Sequence, residues 1–296
     1  MKIAVIFNPV ARGGRAIRFR PLLDRLKQDC DLHPTNGPGS ARALAANAVA
    51  NGYQTVVAAG GDGTVNEVLN GMADADEGFE RARLAVLPLG TVNVFAAELR
   101  IPSRPLEAWS VIRAEREIRF DVVRADYCDG GRPIRRYFVQ MAGAGWDARA
   151  VGIVDWGLKQ RMGRLAYVAA ALRALTPPLP RVQVECGGRR AEGELVLLGN
   201  GRFYAGGWVL FPAASPRDGL VEVTVIPRLN PLGMVRAMGG LLTRRLYSVG
   251  GARHLRGAAA RLTSAGPTPF HLEGELAGTV PANFTVEPAR LRVIVP

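Results

Sequence analysis

Residues 60–68, Gly60-Gly61-Asp62-Gly63-Thr64-Val65-Asn66-Glu67-Val68, set three glycines, a carboxylate and a hydroxyl between two apolar patterns. The stretch before them, 53–59, reads as an apolar strand, and Val68, Leu69 and Met72 after them open a helix. Glycine there permits a tight turn at positive φ and leaves no side chain between backbone amides and a ligand. The turn delivers those amides to a helix N-terminus, where unpaired N–H groups and the macrodipole favour an anion. A carboxylate inside such a loop repels a bare phosphate, so Asp62 points to a metal-bound nucleotide. The competing reading is a capping box of Thr64 and Glu67 on an ordinary strand-to-helix turn. It accounts for those two residues and leaves Gly60, Gly61 and Asp62 unexplained.

Three further stretches carry chemistry. Gly90-Thr91-Val92-Asn93 repeats the strand-turn-helix arrangement, with a plain Thr or Asn N-cap as the alternative. Phe270-His271-Leu272-Glu273-Gly274-Glu275 reads as a strand with His271 and Glu273 on one face, where Glu273 could accept a proton. The alternative is the polar face of a surface strand. A zinc-deaminase reading of His271-x-Glu273 fails, because no Pro-Cys-x-x-Cys follows. Ser215-Pro216-Arg217-Asp218-Gly219-Leu220 is a turn into a strand, and Asp-Gly is also an ordinary hairpin pair. Gly143-x-Gly145 matches a dinucleotide fingerprint weakly and reads better as a turn in a β-rich region. The P-loop lysine is absent, and Lys2, Lys27 and Lys159 are misplaced for its task. Charge on a polyphosphate would have to be met by Mg²⁺, arginine and amides.

These runs, in this order, resemble the diacylglycerol kinase catalytic-domain family, which includes bacterial lipid kinases and sphingosine kinases and shares its GGDGT core with NAD kinases. Asn8-Pro9 after the first strand, Gly143-Ala144-Gly145-Trp146-Asp147-Ala148, Asp218-Gly219-Leu220 and Glu273-Gly274-Glu275 extend the likeness across nearly the whole chain. The resemblance implies ATP and Mg²⁺. It implies nucleotide contacts at Asn8, Thr35, Gly60, Gly61, Asp62, Gly63, Thr64, Asn66, Glu67, Gly90, Thr91 and Asn93, with Glu275 orienting the metal or Glu273. It further implies Glu273 as the base that takes the lipid hydroxyl's proton, Asp62 as the catalytic carboxylate that positions metal-bound ATP, and a structural Mg²⁺ at Asp218, with Ser215 and Leu220 contributing backbone oxygens. Three departures stand out: Ala11-Arg12 where the family has a small residue or serine, Val94 where many members carry Asp, and Glu273 in place of Asp.

Elements to position these groups are legible. Residues 2–7, 53–59 and 84–87 read as strands and 31–34 as a short one; helices are expected over 15–27 and 40–51. Repeated βα units imply a parallel sheet with ligands beyond the carboxyl ends of its strands, where Asn8, Asp62 and Asn93 all fall. After residue 122 strand follows strand (119–127, 135–141, 181–186, 193–198, 219–226, 260–263 and 268–272), which implies an antiparallel sandwich. Helical insertions are expected at 147–175 and 231–247. The second either lies on a membrane through its apolar face or packs against its own domain. The expected architecture is an α/β nucleotide-binding domain over 1–122 and a β-sandwich lipid-substrate domain over 123–284. The resemblance implies that 285–296 return to the first domain and that the cleft lies between the two.

Bulk properties narrow the classes. A chain of 296 residues, 48% hydrophobic and 22% charged, suits about two packed domains. No window approaches a membrane span, and Asn8-Pro9 and Arg12 break the apolar start too early for a secretory signal. Cys30, Cys128 and Cys186 are odd in number and far apart, which suits a reducing cytoplasm. A formal charge of +12 permits attraction to anionic headgroups or polyphosphates, and no zinc-finger or RNP motif accompanies it to suggest specific nucleic-acid binding. The expected partner is a lipid substrate at the inner membrane surface; nothing bears on oligomeric state. The expected activity is ATP-dependent phosphorylation of a lipid hydroxyl, on diacylglycerol or a related lipid. The alternatives are a kinase of a soluble acceptor, like the NAD kinases, and a non-catalytic nucleotide- or lipid-binding protein.

Overall fold

The computed structural model describes residues 2–11, 14–153, 180–204, 208–229 and 251–296. The chain divides into two compact units, one built from 1–122 with 287–296 and the other from 123–204 with 208–286.

In the first unit, β1 (Ile3–Phe7), β3 (Thr55–Gly60) and β4 (Arg83–Pro88) are almost continuous apolar runs, as a sheet covered on both faces requires. With β2 (Asp31–Pro34) they form a parallel sheet in the order β2-β1-β3-β4. The order places a topological switch point between β1 and β3, because the chain leaves β1 toward one side and β3 toward the other. Helix α2 (Ser40–Ala50) packs on α3 (Asp62–Asp74) through Gly71, where a Cβ would lie 2.1 Å from the Arg42 carbonyl. The helix expected over 15–27 is broken: a 3₁₀ turn over Arg15–Phe19, α1 over Arg20–Arg25, and a second 3₁₀ turn over Leu26–Gln28. Pro21 explains the break, since a residue without N–H is tolerated only in a first turn. The unit also holds the short helices α4 (Gly78–Arg81) and α5 (Val94–Glu98), and α6 (Pro105–Ala114), which starts on a proline.

The second unit is an antiparallel sandwich. Strands β5 (Glu117–Asp129) and β18 (Ala282–Ile294) run through the unit boundaries, each giving one end to either unit. One layer pairs the first part of β18 with β15 (Ala259–Ser264), then β8 (Val182–Cys186) and β9 (Arg189–Gly193), and β5 pairs with β6 (Arg132–Phe138). The other layer runs β14 (Arg253–Gly257), β13 (Val221–Ile226), β10 (Leu195–Gly199), β7 (Met141–Gly145), β16 (Thr268–Leu272) and β17 (Glu275–Val280). Helix α7 (Trp146–Ile153) follows β7, and β11 (Phe203–Tyr204) pairs antiparallel with β12 (Trp208–Val209). The core takes alternate residues from both layers, among them Val184, Leu198, Val223, Leu262, Phe270 and Phe284. Each such side chain contributes about 1.5–3 kcal/mol on burial.

The expected turn at Gly143–Gly145 is instead a central strand. Its small residues let neighbours approach: a Cβ on Gly145, which sits at φ +78, would lie 2.4 Å from the Glu194 carbonyl. The insertion expected over 147–175 lies outside the described residues beyond Ile153, and that over 231–247 lies wholly outside them.

Candidate active site

At the switch point the loops after β1, β3 and β4 meet. Asn8 Oδ1 accepts the Val10 amide at 3.1 Å, its Nδ2 donates to Thr64 Oγ1 at 3.1 Å, and its own N–H donates to Ala59 O at 3.0 Å. One side chain thus ties the first loop to the first turn of α3. Thr35 follows β2 beside this corner, its N–H donating to Phe7 O at 2.8 Å.

The glycines differ in purpose from the expectation. None of Gly60, Gly61 and Gly63 has positive φ, so conformational freedom is not what selects them. Space is. A Cβ on Gly60 would lie 2.3 Å from Thr64 Oγ1, and one on Gly90 would lie 2.4 Å from Gly61 Cα. The two loops touch backbone to backbone, and the Leu89 and Gly90 amides both donate to Gly60 O. Asn93, at φ +55, closes its own loop by donating to and accepting from Gly90, each at 3.0 Å. Thr91 is exposed on that loop.

Asp62 opens α3 and reaches across to α5, accepting the Phe95 amide at 3.2 Å. Burial pushes its carboxyl above the usual range, against the opposing pull of the Val94, Phe95 and Asn93 amides. Glu67 does not close a capping box on Thr64. Its two oxygens accept the Gly39 and Ala41 amides at 3.0 and 2.9 Å, so it caps α2 from outside. Asn66 is 1% exposed and accepts from Asn70, so its side chain faces inward rather than toward a loop-bound ligand.

In the second unit Glu273 does not lie on a strand beside His271. It has φ +53 and Gly274 φ +79, so the pair forms the two-residue turn of the β16–β17 hairpin, closed by Leu272 against Glu275. The Glu273 N–H donates to Met141 O at 3.0 Å, and its Oε1 accepts the Val139 and Gln140 amides at 2.8 and 2.7 Å. Two backbone donors on one oxygen fix the carboxylate's direction. Glu275 is exposed at the start of β17. A Glu-Gly pair between Leu272 and Glu275 was the available hairpin signal, and the alternating pattern masked it.

Asp218 fits an ion pair better than a cation. Its Oδ1 accepts the Leu220 amide at 3.0 Å and its Oδ2 takes Arg256 at 2.5 Å, while the same guanidinium meets Glu222 at 2.8 Å. The Ser215 carbonyl accepts the Asp218 amide. Among the described residues no cluster of three or more His, Cys, Asp or Glu could hold a metal ion. A cation on Asp218 Oδ2, where the sequence reading expects a structural Mg²⁺ with Ser215 and Leu220, would abut the Arg256 guanidinium. No described helix is long and apolar enough to cross a membrane.

The comparisons agree with this architecture. The diacylglycerol kinase catalytic domain matches residues 2–125, and the YegS C-terminal NAD kinase beta sandwich-like domain matches 140–295. A protein of Xanthomonas campestris pv. campestris (strain 8004), named "Probable lipid kinase YegS-like", is 35% identical over 279 residues, 90% of this chain and 86% of its own. The diacylglycerol kinase of Bacillus subtilis (strain 168) is 28% identical over 304 residues, 99% of this chain and 95% of its own. Two solved chains from Bacillus anthracis str. Sterne, 23% and 21% identical, share the fold with TM-scores of 0.79 and 0.70. They match 100% of this chain and 95% and 97% of their own. The chain belongs to the diacylglycerol kinase catalytic-domain family, among its YegS-like lipid-kinase homologues.

Proposed function

We propose that the protein phosphorylates a lipid hydroxyl with ATP, diacylglycerol or a lipid of similar head being the acceptor. The observation that carries this reading is the backbone contact between Gly61 and Gly90, which joins two strand-end loops at the switch point. Loop amides near Gly60–Thr64 and Gly90–Asn93 would hold the phosphates, with Asn8 keeping the first loop in register. Asp62 would orient metal-bound ATP; Mg²⁺, bound with the nucleotide, supplies charge neutralisation on the phosphates. The Glu273 carboxylate would accept the acceptor's proton as the acceptor oxygen attacks the γ-phosphorus and the bond to the ADP oxygen breaks. Such transfer depends on alignment and charge stabilisation more than on covalent help from the protein. A glutamate serves here because its direction is set by two amides.

The test is labelled-phosphate transfer from ATP to a panel of hydroxyl lipids in mixed micelles. Wild type is expected to label one lipid class, Glu273→Gln to lose about 10²–10⁴-fold in kcat, and Asp62→Ala to lose activity together with nucleotide-dependent thermal stabilisation. Label found only on a soluble acceptor, or wild-type turnover in Glu273→Gln, would overturn the reading.

A further inference from the structure

Behind the Glu273–Gly274 turn lies a group of buried side chains that the phosphoryl-transfer reading leaves without a task. His271 is 1% exposed and pairs across the sheet with Gly143 of β7. Its Nε2 lies 2.7 Å from Oδ2 of Asp147, a residue of α7 that is 4% exposed. On the other side of the ring, Nδ1 lies 3.2 Å from the Gly274 amide nitrogen. The Tyr204 hydroxyl donates to Asp147 Oδ1 at 2.9 Å. Room for the pair is reserved by Gly143, where a Cβ would lie 2.5 Å from both Asp147 Oδ2 and His271 Nε2.

Proton accounting settles the ring's state. A backbone N–H can only donate, so Nδ1 must present a lone pair to Gly274. The neutral ring's one proton then sits on Nε2, where it is donated to the Asp147 carboxylate. Asp147 and Tyr204 therefore select the tautomer in which Nδ1 accepts. The opposite tautomer would set two N–H groups against each other at Gly274. A buried polar chain of this kind is costly unless every member is satisfied, and here the Tyr204–Asp147, His271–Asp147 and Gly274–His271 bonds each have a donor and an acceptor. The turn it holds carries Glu273 at positive φ, a conformation a glutamate keeps only when its surroundings enforce it.

We propose that His271 is a positioning residue for phosphoryl transfer. Its Nδ1 anchors the Gly274 amide and so fixes the rotation of the hairpin turn that presents the Glu273 carboxylate, while Asp147 and Tyr204 lock the imidazole in the accepting tautomer. The proposal rests on Glu273 acting as the base.

Two isosteric substitutions separate the ring's two nitrogens. Asparagine places its amide head where Nδ1 was and can still accept from Gly274. Glutamine places its head where Nε2 was and keeps only the Asp147 side. In the lipid assay, His271→Gln is expected to lose about 10–100-fold in kcat, less than the roughly 10²–10⁴-fold of the general base itself, with the KM for ATP unchanged. His271→Asn should recover kcat to within about threefold of wild type, although both variants lose the same intact ring. Amide hydrogen exchange at Gly274 should accelerate in His271→Gln and not in His271→Asn, a readout that needs no turnover. Nitrogen chemical shifts of wild-type His271 should show the proton on Nε2.

Equal kcat in wild type and His271→Gln, with Glu273→Gln inactive, overturns this proposal and leaves the base assignment standing. Activity in Glu273→Gln removes both. Unchanged Gly274 exchange in both His271 variants, or a proton on Nδ1, overturns the proposal whatever the lipid assay shows.

Discussion

Asp62 carries the sharpest conflict between stability and use. Its carboxyl is half-buried at a helix start, with amides of the next loop as partners, and burial prevails. A carboxyl held above its ordinary value of 3.8 binds its proton more tightly in the folded chain than in the unfolded one. Its contribution to stability is therefore full below the unfolded value and is lost as pH rises through the folded one. Denaturant titration of wild type and Asp62→Asn should show wild type relatively more stable at about pH 3.5 than at about pH 7. A difference that grew with pH would contradict the sign. Asp218 shows the converse: a carboxylate that motif order marked for a metal faces Arg256 instead. Nothing in a linear run announces a partner 38 residues away, so that pairing was illegible until the strands were registered.

At the scale of elements, the two glycine loops act as one object because they share a contact no side chain could enter. Gly90→Ala would push a Cβ to within 2.4 Å of Gly61 Cα and 2.6 Å of Asn93 Oδ1. Asn93 Oδ1 is a side-chain end that can turn away, but Gly61 Cα is backbone and cannot. The loops must part, at about 1–3 kcal/mol, and ATP-dependent thermal stabilisation should vanish with the contact. Retained nucleotide stabilisation in Gly90→Ala would show that the loops do not need to touch. The glycine clusters were visible in the sequence, but of the two reasons expected for them the positive φ is absent: a run of glycines does not say whether φ or space selects it. The same limit applies to Glu273, where alternation suggested a strand and the Glu-Gly pair makes a turn. Periodicity counts faces; it does not see where a hairpin reverses.

For the whole molecule, charge is the property that bears on where the acceptor is found. A formal +12 on a chain with arginines spread throughout favours anionic surfaces over one discrete ligand. Sedimentation with vesicles containing an anionic lipid should fall as salt is raised from about 0.05 M to about 0.5 M, as the screening length shortens. Vesicles of neutral lipid should bind weakly at either salt. Salt-independent binding would point to apolar insertion instead.

The parallel α/β class and the β sandwich could be read from the linear chain, because strand composition and βα alternation are local properties that burial then obeys. The family likeness was legible for the same reason: short runs next to strand ends keep their order whatever packs around them. Three-dimensional packing alone decided that Glu67 caps a neighbouring helix, that Arg256 occupies Asp218, and that Asp147 and His271 stand behind the Glu273 turn. Those outcomes depend on which distant side chains end up adjacent in a close-packed interior, and pairwise adjacency leaves no periodic trace along a sequence.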